Sequence, residues 1–179
     1  MTKHNNVSTA AAPDYKGRSI SIYHPNPRGT GSAVRLEPRI NRDGEDRYNC
    51  FFLEMAAQQT TAKGEQSAGH ATFDWETKIT VKLGFNDVCE WLLALEQRQE
   101  SLGPKGKGLY HATAQGNTLI DFRWQPDREN YLLSISRKRN GATSPQRIAI
   151  ALTQAEAIGI RCLLQTGLFF VTFPAFRRR

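Results

Sequence analysis

Lys78-Ile79-Thr80-Val81-Lys82-Leu83 runs almost directly into Phe85-Asn86-Asp87-Val88-Cys89-Glu90-Trp91-Leu92-Leu93-Ala94-Leu95, and the hydrophobic period changes at the join. In the first stretch Ile79, Val81 and Leu83 alternate with Lys78, Thr80 and Lys82, which is the two-residue period of a half-buried strand. In the second, Val88, Trp91, Leu92 and Leu95 fall at i, i+3, i+4 and i+7, one face of a helix. Asn86 and Asp87 suit the positive end of its dipole. The spacing predicts a strand followed by a helix over Phe85 to Gln99.

Upstream, three more segments alternate. Ser19–His24 sets Ile20 and Ile22 against Ser21 and Tyr23. Ser32–Glu37 sets Val34 and Leu36 against Arg35 and Glu37, and Tyr48–Ala56 lines up Phe51, Leu53 and Met55. Pro25–Gly29 must turn, and Asn41–Asp46 contains Asp43-Gly44, which tolerates the positive φ of a hairpin. Gln58–His70 is polar and rich in small residues, so it reads as a loop. Downstream the plan repeats. Ser101–Gly108 breaks the chain, and strands are expected at Leu109–Ala114, Thr118–Trp124, Tyr131–Arg137 and Gln146–Leu152. Turns fall at Gln125–Asp127 and Asn140-Gly141. Thr153-Gln154-Ala155-Glu156 is a capping box opening a second helix to about Phe170. Strands joined by such short turns pair antiparallel, which excludes a doubly wound parallel sheet. The fold class is α+β: two four-stranded antiparallel sheets, each followed by a helix. In the second helix Ile158, Ile160, Leu163, Leu164 and Leu168 cover more than one stripe. Either an oligomer core made of helices or a deep intrachain groove accounts for that.

The 179 residues suit one domain over 17–176, with a flexible polar tail at 1–16 and a basic tail at 177–179. A net charge of +7 favours an anionic partner, nucleic acid first and acidic lipid second, although solubility alone is the plainer reason for it. Cys50, Cys89 and Cys162 lie in apolar runs and read as buried free thiols in a reducing compartment. Their spacing, like that of His4, His24, His70 and His111, gives no metal site. No apolar run reaches membrane-spanning length, and the first residues carry no hydrophobic signal core. The expected location is cytoplasm or nucleoid in a bacterium, organelle or nucleus in a eukaryote, and not the exterior. No nucleophile elbow, phosphate loop or zincin motif is present. Asp74 and Glu76 could share a metal only weakly. The expectation is a non-enzyme without cofactor.

A binder of unpaired strands needs ring or apolar platforms for bases and cations for phosphates. Strand alternation nominates Tyr23, Arg35, Phe52, Lys78 and Lys82 on the outer face of the first sheet. It nominates Arg123, Arg137 and Arg147 on the second, with Lys105 and Lys107 on the loop before it. Trp75 stands at the mouth of the fourth strand, and Arg28 in the first turn. Phe52 and Trp75 could equally be packing residues, and an outward Arg or Lys is usually just solvated. Phe122 and Trp124 share the inward face with Ile120 and belong to the core. Glu37, Glu54 and Asp121 interrupt the positive face, which makes it a track rather than a patch.

Several stretches resemble the Whirly proteins, single-stranded-DNA-binding factors described mainly in plants. Ser21-Ile22-Tyr23 followed by Ala33-Val34-Arg35-Leu36-Glu37-Pro38-Arg39 is similar to the family's first hairpin. Phe73-Asp74-Trp75-Glu76-Thr77-Lys78 is similar to its approach to the fourth strand. Ser134-Ile135-Ser136-Arg137 and Thr153–Glu156 resemble its seventh strand and second helix start. The order and spacing of these motifs cover nearly all of the chain after Lys16. The family's Lys-Gly-Lys-Ala-Ala-Leu is Gly29-Thr30-Gly31-Ser32-Ala33-Val34 here, so both lysines are missing. The resemblance implies the double round of four strands and a helix, and a homotetramer with helices at its centre. It also implies single-stranded nucleic acid along the sheet faces and between neighbouring subunits, bound with little sequence preference, and with DNA a role in protection, recombination, repair or transcription. Guide-RNA-binding proteins of kinetoplast mitochondria share the architecture, so an RNA-binding or annealing role is the alternative.

Overall fold

A computed structural model describes residues 19–39, 49–62 and 70–173. The expected tails at 1–16 and 177–179, the turn at Asn41–Asp46, Tyr48 and residues 63–69 lie outside the described residues. The first sheet holds β1 (Ile20–His24), β2 (Ser32–Arg39), β3 (Cys50–Ala57) and β4 (Ile79–Leu83) in sequence order. Helix α1 (Phe85–Leu95) follows. The second sheet holds β5 (Leu109–Thr113), β6 (Gly116–Gln125), β7 (Asn130–Arg139) and β8 (Gln146–Leu152), again in order, and α2 (Gln154–Thr172) follows. Every neighbouring pair is antiparallel.

Register explains the core. Leu36 stands opposite Leu53, and Leu53 opposite Val81; one step along, Val34, Met55 and Ile79 form a second row. In the second sheet Ile120, Ile135 and Ile148 form one row and Phe122, Leu133 and Ile150 another. All are buried, and both helices close onto them with Val88, Trp91, Ala157, Ile160 and Leu164 in a single apolar cluster. Each such side chain contributes about 1.5–3 kcal/mol relative to exposure. Phe122 stacks on Tyr131 at 5.0 Å and touches Trp91 at 5.4 Å, and Trp124 sits edge-on to Tyr131.

Helix α1 ends four residues before the expected Gln99. The amide of Gln97 bonds the carbonyl of Ala94 and that of Arg98 bonds Leu93, the pattern of a Schellman stop. Gln97 takes the left-handed position, φ +57°, where glycine is usual. A Gln there gives no sequence signal. Helix α2 starts as its capping box requires: Thr153 Oγ1 accepts from the Glu156 amide at 3.2 Å, and Glu156 Oε2 accepts from the Thr153 amide at 2.8 Å.

The two halves hold each other crosswise. His24 at the end of β1 bonds Glu156 of α2 at 2.8 Å. His111 of β5 bonds Asp87 of α1 at 3.2 Å. Each carboxylate also reaches back to its own helix start, Asp87 accepting from the Gly84 amide at 2.8 Å. Partial burial pushes the Glu156 carboxyl up. The Thr153 amide, His24 and the Thr153 hydroxyl outweigh it and hold the carboxyl below its ordinary value.

Two expectations change. Cys50 is buried, but Cys89 is half-buried and Cys162 exposed, because one side of each helix is left uncovered in the single chain. Helix α2, at 19 residues, is long and apolar enough to cross a bilayer by length and composition, a test that core helices also pass. Here it packs against α1, β1 and β7. Its side away from them exposes Ile158, Phe169 and Phe170.

The contact of α2 with the first sheet depends on Gly167, where a methyl group would overlap the Phe51 ring. Gly167→Ala gains about 1 kcal/mol of helix propensity but overpacks the core by roughly 1–3 kcal/mol. A lower urea midpoint is expected; a raised one would show that Phe51 has room to swing aside.

Candidate nucleic-acid interface

Both helices pack on the inward side of the two sheets, α1 against β4 and β6 and α2 against β1 and β7, so the other faces are set by the outward residues of the same alternation. On the first sheet Ser21, Arg35, Glu54 and Thr80 form one cross-strand row. Glu37, Phe52 and Lys82 form the next. In the first row Glu54 Oε1 meets Lys78 Nζ at 2.7 Å and accepts from Thr80 Oγ1 at 3.3 Å, while Oε2 lies 3.6 Å from Arg35. In the second row the Arg39 guanidinium lies over the Phe52 ring, 5.6 Å from its centroid, so Phe52 is a half-buried outward ring rather than core. Arg39 also pairs with Glu37 at 2.9 Å.

The most developed feature is an aromatic cradle at the Tyr23 end. Tyr23, 47% exposed, lies 5.4 Å from Phe73 and 6.3 Å from Trp75. Arg35 stacks on Trp75 at 4.3 Å and its Nε donates to Ser21 Oγ at 3.4 Å. Ala33 and Ala56 share this outward register, yet both are fully buried. Their small side chains leave room for the Phe73–Trp75 segment to lie close to the sheet. That segment is shaped by Asp74. Its carboxylate accepts from the Thr77 hydroxyl at 2.5 Å and from the amides of Glu76 and Thr77 at 3.1 Å. The Thr77 hydroxyl, and then those amides, hold its carboxyl below the ordinary range. Asp74 is thus spent on the turn. Among the described residues no group of three or more His, Cys, Asp or Glu side chains is placed to hold a metal ion.

Arg28 lies exposed in a turn that Asn26 organises, its Oδ1 accepting from the amides of Arg28 and Thr30. Gln58 ties that turn to β3 by accepting from Asn26 and Gly31. Gly31 lies against the His24 carbonyl and Gln58 with no space for a side chain. The lysine that the Whirly motif carries at this place has no room in this chain.

On the second sheet Tyr110, Leu119, Asp121, Arg123, Ser136, Lys138 and Arg147 face outward by register. Arg123 pairs with Asp121 at 3.7 Å, and Arg147 is exposed. Lys105 and Lys107 are exposed on a tight turn around Pro104–Gly106. Gly103, Gly106 and Gly108 all take positive φ there. Arg137 departs from the expectation. It shares the inward face with Leu133 and Ile135, where Nε donates to Thr118 and its terminal nitrogen to the Thr80 carbonyl of the first sheet. Burial, helped by the charge of Arg139, lowers its pKa. It links the two sheets and is not part of the outer track.

The structure therefore gathers Tyr23, Arg35, Trp75 and Lys78 around one spot, with Phe52 and Lys82 in the adjacent row. Arg123, Arg147, Lys105 and Lys107 belong to the other sheet. Two residues were missed. Phe73 completes the cradle, and its signal was the aromatic pair with Trp75 around a turn-forming Asp. Tyr110 is 63% exposed on the outer face, which alternation from the buried Leu109 would have shown.

Paired four-stranded sheets, each backed by a helix and open on the other side, define the Whirly fold. Among solved structures the chain is similar to WHY1 from Arabidopsis thaliana, with a TM-score of 0.68 at 15% identity over 89% of this chain and 88% of that one. It is similar to the plant transcriptional regulator PBF-2, with a TM-score of 0.64 at 17% identity over 87% of this chain and 82% of that one. It is also similar to a guideRNA-binding protein complex bound to a gRNA, with a TM-score of 0.60 at 16% identity over 89% of this chain and 95% of that one. At these identities the likeness is one of fold. No protein-family model matches the sequence, and no curated protein matches it.

Removing the link between the sheets acts on stability rather than on a surface contact. Arg137→Ala leaves the Thr80 carbonyl without its donor and is expected to lower unfolding free energy by about 1–3 kcal/mol. Chemical denaturation measures it; an unchanged midpoint would return Arg137 to the candidate surface.

Proposed function

We propose that this chain binds unpaired nucleic acid on the outward faces of its sheets, DNA in preference to RNA and with little sequence preference, in DNA maintenance or transcription. The observation that carries the reading is the cradle of Tyr23, Phe73 and Trp75 with Arg35 stacked on it. Rings receive base faces, which every base has, and the guanidinium offers both a flat surface and a charge to the backbone. Lys78, Lys82 and Arg28 extend the cationic side of this surface. The net charge of +7 supplies the attraction at longer range. The fold neighbours support the general reading, since one is a transcriptional regulator and another a complex bound to a gRNA. The latter also favours a second reading, RNA binding or annealing on the same scaffold.

We further propose a homotetramer assembled through the helices, with a second copy of this chain as the occupant of the open helix faces. Ile158 is 56% exposed, and Phe169, Phe170, Phe173, Phe85 and Leu93 also stand open. Apolar surface of this extent on two adjoining helices is characteristic of an interface.

Labelled mixed-sequence DNA, RNA and duplex, titrated against the chain by fluorescence anisotropy, tests the first proposal. Tight binding to unpaired DNA is expected, falling with salt at a slope of roughly −0.7 per phosphate neutralised. Tyr23→Ala and Trp75→Ala should each weaken it by about 1–3 kcal/mol, the worth of one stacked base. Equal affinity for duplex would defeat the reading, and preference for RNA would select the alternative.

The second proposal is tested by mass. The unsubstituted chain should run as a tetramer in light scattering, and Ile158→Glu as a smaller species with unchanged circular dichroism. A monomeric unsubstituted chain would end it.

A further inference from the structure

Resting on the single-strand reading above, we propose that Glu54 sets the affinity of the first sheet's platform by competing with an incoming phosphate for the same two cations, Lys78 and Arg35. The carboxylate sits between two cations, one on β2 and one at the entry to β4, at 2.7 Å from Lys78 Nζ and 3.6 Å from the Arg35 guanidinium. Two cations converging on one oxyanion are what a phosphodiester seeks, so the protein's own acid and an incoming strand compete for the same cations.

The alternative role for such an acid is to hold the cations in position. For Arg35 that role is already filled. Trp75 stacks on its guanidinium at 4.3 Å and Ser21 accepts from its Nε at 3.4 Å. The 3.6 Å approach to Glu54 is longer than a hydrogen bond. Exposure points the same way. The Glu54 side chain is 13% exposed, while those of Arg35 and Lys78 are each 32% exposed. A strand arriving from solvent meets the cations first and the carboxylate behind them. Glu54 cannot leave, because it is anchored on β3 and bonded to Thr80 at 3.3 Å. It therefore remains beside a bound phosphate as a repulsive charge. That keeps the platform from gripping any polyanion and leaves ring contact at the cradle to supply the rest.

Glu54→Gln keeps the shape and the Thr80 bond while removing the charge. In the anisotropy titration it is expected to bind unpaired DNA roughly three- to tenfold tighter, the scale of a partly exposed ion pair. The salt slope should steepen by roughly 0.7, one further phosphate neutralised. Glu129→Gln alters net charge equally from an exposed position on the β6–β7 turn and should change affinity less than twofold. Adding Lys78→Gln to Glu54→Gln should remove the gain, and circular dichroism checks that each variant is folded. Binding by Glu54→Gln that is unchanged or weaker, while the unsubstituted chain binds, overturns the inference and leaves the single-strand reading intact. Failure of the unsubstituted chain to bind any unpaired strand overturns both.

Discussion

A sheet has two faces, and among the described residues two helices, both on the inward side, serve two sheets. Everything else follows from that shortage. The inward rows, Leu36-Leu53-Val81 and Ile120-Ile135-Ile148, are covered by α1 and α2 and become the core. Among the described residues the Phe73–Trp75 segment covers one end of the first sheet, and no helix lies over the outward rows. They must be stable in water, which is why they hold charges in partnered sets and rings that support one another. The cradle exists because Ala33 and Ala56 are short enough for an aromatic segment to lie on the sheet. With larger side chains there, Phe73 and Trp75 would be lifted off.

Much of this was legible because a period of two and a period near four are hard to confuse when each persists. The strands, their order and the Thr153–Glu156 start of α2 could all be read from spacing. Alternation was misapplied at one place. It was used to nominate Arg137 for the outward face, although the same alternation with Leu133 and Ile135 puts it on the inward face. There the core has ended and the Thr80 carbonyl of the first sheet offers a partner. The end of α1 was hidden for a different reason: Gln97 occupies a backbone position usually marked by glycine. Cys162 was taken as buried from its apolar neighbours, but α2 has more apolar surface than one chain can cover. Trp75 could not be placed at all from periodicity, since its position is set by the side chain of Asp74 and not by a strand.

The charge pattern of the outer faces is mixed in a consistent way. Glu54, Glu37 and Asp121 each stand beside an arginine or lysine on the same face. Such pairs contribute little to stability individually. Their effect is on potential: they break a basic surface into separated points. The family's lysine pair is absent from the first turn, and Gly31 is packed too closely to regain it. The cationic character on this sheet thus comes from Arg35, Arg39 and Lys82 on the strands, Lys78 at the entry to β4 and, in that turn, Arg28 alone.

The crosswise bonds His24–Glu156 and His111–Asp87 give the molecule its wholeness. Each half lends a strand to the start of the other's helix, so neither half is complete alone. The chain is a duplication in plan whose halves close each other's helix starts, so a break in the connection between them should leave two pieces that fit each other.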